Sequence, residues 1–91
     1  MSRWRIVGEQ NGGPEHVNSV VLNEEEAREA LDYEAAMHEQ FGWTVTIGRN
    51  ADAEPDVVIA RKKSKRGHQI IRAFTVREFD PMQDLREETH E

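Results

Sequence analysis

Cysteine is absent from this 91-residue sequence. That excludes a disulfide framework, a thiolate metal site and a cysteine nucleophile, and it fits a reducing compartment. Long apolar runs are missing as well. No stretch approaches the ~20 residues of a membrane helix, and the opening "MSRWRIVGEQ" has no signal-peptide core. A cytoplasmic protein without membrane contact is therefore expected. The familiar catalytic signatures are also lacking: there is no P-loop, no GxGxxG, no GxSxG and no HExxH. The "NGG" at 11–13 reads as a turn rather than a phosphate cradle, since no helix starts at it. No catalytic residue, cofactor or metal set can be nominated, and a non-enzymatic protein is expected.

What is present is charge in two opposite blocks. Hydrophobic residues make up 36% of the chain and charged residues 33%, with a net charge of −6, so one domain with a lean core is expected. Residues 24–39 hold seven acids against the single base Arg28, whereas 61–69 ("RKKSKRGHQ") hold five Lys or Arg and a histidine.

The periodicity predicts five strands and one helix. "RWRIVGE" alternates around Trp4 and Ile6 as a strand, "QNGGP" turns, and "HVNSVVLN" returns. Asn23 is placed to cap a helix, with Glu26 at the capping-box position and Glu24, Glu25 and Glu26 matching the positive end of the helix dipole. That helix runs to about Phe41, where Gly42 closes it. "WTVTIG" (43–48) follows as a strand, "RNADAEP" is loop, and "DVVIARKK" and "HQIIRAFTVREF" form a hairpin turning through "SKRG". The expected fold is α+β in the order β-β-α-β-β-β: a mostly antiparallel sheet with one amphipathic helix on one face. Residues 1–80 form the single domain, and 81–91 a polar C-terminal tail.

Helical spacing places Ala27, Ala30, Leu31, Met37 and Phe41 in one apolar stripe, with Glu25, Arg28, Glu29, Asp32 and Glu39 opposite. Glu34 and His38, four residues apart, interrupt the stripe. They form a candidate polar pair, suited to ligand contact or proton transfer if buried between helix and sheet. The default reading is plainer: the helix is rotated or lies near a sheet edge, and both side chains reach water. A metal site lacks further ligands, since His16, His68 and His90 fall at unrelated points.

The last two strands are apolar on both faces. Val57 and Ile59 alternate with Val58 and Ala60, and Ile70, Phe74 and Val76 alternate with Ile71, Ala73 and Phe79. One helix covers one face, so the other is expected to meet a partner, including a second copy in a homodimer, or to be closed by the chain itself. The basic hairpin offers Arg61, Lys62, Lys63, Lys65, Arg66 and Arg72 as contacts for nucleic acid or an acidic partner. No aromatic residue interleaves the run, which removes the stacking platform of single-strand binders. The plain alternative is charge that keeps strand ends from pairing.

"WRIV", "NEEEAREAL" and "GWTV" give the chain a style that resembles small accessory proteins of actinobacteria and their phages. That resemblance carries over no site residue. It implies a binding protein that modulates a host or cellular protein rather than a metabolic enzyme. The leading expectation is a self-associating protein-interaction module. Nucleic-acid binding through 61–72 comes second, and an acidic DNA mimic is a minor third.

Overall fold

A computed structural model describes residues 3–80. The predicted tail at 81–91 lies outside these residues. The elements follow the expected order: β1 (Arg3–Gln10), β2 (His16–Leu22), α1 (Glu24–Gln40), β3 (Thr44–Arg49), β4 (Pro55–Lys63) and β5 (Gln69–Phe79). The strands form one sheet in the order β2-β1-β5-β4-β3, and every neighbouring pair is antiparallel. The fold is α+β, with one helix layer on one face of the sheet.

Local chemistry sets the helix ends. The Asn23 side chain accepts the backbone N–H of Glu26 at 2.7 Å, and three acids occupy the first turn. At the other end Gly42 takes φ +89°, which lets its N–H reach the Glu39 carbonyl at 3.0 Å and the Trp43 N–H reach the His38 carbonyl at 2.9 Å. This pair of bonds is a Schellman closure, which brings the residue two past the cap back over the last helical turn. It delivers Trp43 onto His38.

The helix connects β2 to β3, the two edge strands, and so crosses the sheet from one side to the other. It packs most heavily on β4. Ile6, Leu31, Ala35, Val58 and Phe74 form the core, with Ala30, Val45, Ile47 and Val76 packed around them. Ile6, Leu31 and Val58 are fully buried, each worth roughly 1.5–3 kcal/mol relative to exposure. The register puts Val58 beside Phe74, Ala60 beside Arg72 and Ile6 beside Val76. Even-numbered residues of β1, β4 and β5 therefore face the helix, and odd-numbered ones face away.

Two assignments on the helix are corrected. Arg28 does not lie on the solvent side. Its side chain is 11% exposed, donates to the Pro55 carbonyl at 2.6 Å, and stands among Glu24, Asp56 and Glu54 at 3.6, 3.6 and 4.0 Å. A guanidinium can bury its stem and still satisfy its head, which a helical wheel does not weigh. Phe41 is the converse: as the C-cap it leaves the stripe and is 63% exposed. No helix among the described residues is long and apolar enough to cross a membrane.

Candidate functional site

Glu34 and His38 do face the sheet, and the default expectation that both reach water fails for His38. It is a buried polar residue of the described chain. Its ring lies 5.2 Å from Phe74 and 5.2 Å from Trp43, the latter edge-on at 78°. Phe74 comes from the central strand β5 and Trp43 from the helix closure, so the Schellman turn completes the wall around the imidazole.

Hydrogen bonding fixes the orientation of this ring. Nδ1 lies 2.7 Å from the backbone carbonyl oxygen of Glu34, an oxygen that can only accept. Nδ1 therefore carries a hydrogen, and in the neutral ring the lone pair sits on Nε2. That nitrogen is 3.4 Å from Nη1 of Arg72. The Glu34 carboxylate is 3.7 Å from Nδ1 and accepts from the Asn18 amide at 3.0 Å.

Arg72 belongs to this arrangement, not to the hairpin tip. It faces the helix side, stacks 4.6 Å over Trp43, and donates from Nε to the Gln10 side-chain oxygen at 3.0 Å. Together Arg72 and His38 separate two hollows. One, of about 260 Å³, lies between the helix and the β1–β2 hairpin, and its lining includes Glu9, Gln10, His16, Asn18, Glu34 and Phe74. The other, of about 410 Å³, is walled by Met37, Phe41 and Trp43. Gly8 floors the first: a Cβ there would stand 3.1 Å from the Phe74 ring and 3.6 Å from His16 Nε2. Among the described residues no cluster of three or more His, Asp or Glu is arranged to hold a metal ion.

The rest of the basic run is divided by strand alternation. Lys62 turns to the helix side, donates to the Phe41 carbonyl at 3.1 Å and lies 5.8 Å from the Trp43 ring. Arg61 and Lys63 fall on the far face and are exposed. Lys65 and Arg66 sit in the turn closed by Ser64, Gly67 and His68.

On that far face Arg61 and Lys63 join Arg3, Arg5 and Arg77, all at odd positions of the strands. Between these cations run Val57, Ile59, Ile71, Ala73 and Thr75, all half-buried. Arg5 lies 4.4 Å over the Phe79 ring, and Arg77 makes a bidentate pair with Glu15 at 2.9 and 3.1 Å. That bond first, and the guanidinium charge second, hold the Glu15 carboxyl below its ordinary range, and the same bond holds Arg77 above its own. Glu9 is the acid at a far-face strand position among the described residues. Asp56 and Glu78 fall on the helix side, with the acids of α1 beyond them. Among the described residues, the helix side is rich in acids and the far face holds most of the strand cations around an apolar strip. The sequence reading singled out Arg61 and Lys63 of this face but not Arg3, Arg5 or Arg77, because 61–69 stands out as one block while the others are scattered through β1 and β5.

The chain stands apart in comparison. No family model, curated protein or solved structure gives a significant match.

Proposed function

We propose that this protein is a non-enzymatic interaction module that receives an acidic protein partner on the sheet face opposite α1. The carrying observation is the sorting of charge among the described residues: the exposed cations Arg3, Arg61 and Lys63 frame an apolar strip that also carries Glu9 and the Arg77–Glu15 pair, while the strand acids Asp56 and Glu78 lie on the other side. A surface of this kind suits an amphipathic acidic element, whose apolar residues meet Ile59, Ile71 and Ala73 and whose carboxylates meet the frame. An acidic partner also fits modulation of a cellular or host protein.

The same charges weigh against a symmetric homodimer through this face, because a two-fold axis would set the cations against themselves. Self-association would instead place the acidic helix of one copy on the basic face of the next, which builds open chains rather than closed dimers. Nucleic acid is the second reading. Lys65 and Arg66 extend the cationic frame past the strand ends, as a ribbon contacting phosphates would. The strip itself offers Phe79 as its aromatic residue, already under Arg5, so it provides little for stacked bases.

Binding of a labelled acidic amphipathic peptide, of duplex DNA and of single-stranded RNA, each at low and high salt, tests this. The proposal expects peptide binding that weakens with salt and with Arg61→Glu plus Lys63→Glu, but persists in Lys65→Ala plus Arg66→Ala. Nucleic-acid binding lost in the turn variant would favour the second reading. No binding by any probe at low salt overturns both.

A further inference from the structure

We propose that Arg72 and His38, with the two hollows they divide, form a binding site for a small organic carboxylate that carries an apolar body. The site lies on the helix side of the sheet and is independent of the docking surface above.

Arg72 is the anchor. The chain has 18 acids, yet among the described residues none lies within ion-pair distance of this half-buried guanidinium. Instead it is held in place by side chains other than acids: Gln10 takes Nε, His38 Nε2 faces Nη1, and Trp43 supports the plane from below. The remaining N–H donors at Nη2 have no acceptor among the described residues. A planar fork fixed in this way presents the geometry that a carboxylate accepts in two parallel bonds. His38 contributes as a positioning residue. Its Nδ1 is committed to the Glu34 carbonyl, which aims Nε2 at Arg72 rather than away from it.

The surroundings select the kind of anion. The Glu34 carboxylate lines the 260 Å³ hollow and opposes a multiply charged ligand such as phosphate. The 410 Å³ hollow falls within the ~300–1,000 Å³ of small-ligand pockets and offers Met37, Phe41 and Trp43 to an apolar body. Phe41 is 63% exposed here, an aromatic surface left uncovered by the described chain. A monoanion with a ring or branched chain satisfies both hollows' constraints: the charge goes to Arg72 and the body to the aromatic wall.

The test uses the isotope-labelled full-length protein titrated with benzoate, benzamide, acetate and inorganic phosphate, read from the Trp43 indole and the Arg72 Nε resonances. Benzoate should shift both saturably. Removing either the charge (benzamide) or the ring (acetate) should weaken binding at least about tenfold, the loss expected for a hydrogen bond to a charged group or for a buried ring. Phosphate should bind no better than acetate. Arg72→Gln should abolish saturable benzoate shifts, and Phe41→Ala, a change at an exposed position, should weaken benzoate while leaving acetate unchanged. Equal affinity for benzoate and benzamide, tighter binding of phosphate, or full benzoate affinity in Arg72→Gln would each overturn the proposal. So would benzoate shifts that never saturate. If Arg72→Gln fails to fold, the benzoate–benzamide comparison on the unmodified protein decides.

Discussion

Trp43 stands edge-on to His38, with 5.2 Å between ring centroids, because the chain turns back through Gly42 with φ +89°. A left-handed residue at this point costs any side chain other than glycine roughly 1–2 kcal/mol. Nothing else crowds the position, since no atom lies within 4 Å of an added Cβ. Gly42→Ala is therefore expected to destabilise the fold by about 1 kcal/mol through backbone strain alone. Denaturant unfolding measures the loss, and a change in Trp43 fluorescence reports any shift of the indole from His38.

The ring of His38 is expected to be the Nδ1–H tautomer when neutral, with the Glu34 carbonyl 2.7 Å from Nδ1. Long-range nitrogen–proton NMR at alkaline pH distinguishes the two nitrogens directly. A protonated Nε2 with a bare Nδ1 would remove the orientation argued for Arg72.

Arg28 holds the helix to the start of β4 by its 2.6 Å bond to the Pro55 carbonyl. Arg28→Ala should lower the unfolding free energy by about 1.5–3 kcal/mol, the range for a hydrogen bond from a charged donor. The neighbouring Glu24, Glu54 and Asp56 are about half exposed and stay hydrated, so their repulsion adds little. Arg28→Lys keeps the charge but loses the fork, and should fall between the two.

Glu15 and Arg77 tie the β1–β2 loop to β5 at the surface. The folded carboxyl titrates below its ordinary value of 4.5. A lowered folded value means the pair contributes stability above the ordinary value and loses it as pH falls through the folded one. The difference in stability between the protein and Glu15→Gln should accordingly be constant near neutrality and vanish in acid. Added salt should reduce it, because the pair is exposed. A carboxyl titration by carbon NMR locates the midpoint.

Gly48 on β3 allows a close approach to β4: a Cβ there would stand 2.6 Å from Val57 Cγ1. The β-branched valine has little freedom to swing aside. Gly48→Ala is expected to cost about 1–3 kcal/mol as an overpacking change, measured by thermal or denaturant unfolding.

The fold was largely legible because its signals are local. Asn23 with Glu26, Gly42 after the helix, and alternation in β3, β4 and β5 each act within a few residues, and the register bears out the two-faced reading of Val57 to Ala60 and Ile70 to Phe79. The sites were less legible because they depend on contacts between distant segments. Glu34 and His38 stood out as a break in an apolar stripe, but their partners Asn18 and Arg72 are 16 and 34 residues away. Arg72 read as part of a basic hairpin because sequence proximity to Lys65 and Arg66 is visible and strand alternation onto the helix side is weaker evidence. Arg28 was misplaced for a related reason: its acceptor, Pro55, is 27 residues distant.

The central claim is that the sheet face opposite α1 is where this protein meets an acidic partner. Methyl NMR during titration with an acidic amphipathic peptide tests it most directly, since methyl groups, unlike backbone amides, report one face of a sheet at a time. The account predicts shifts at Ile59, Ile71 and Ala73, with Leu31, Ala35 and Val58 unmoved. Shifts confined to α1, or to Met37 beside Phe41 and Trp43, would contradict it.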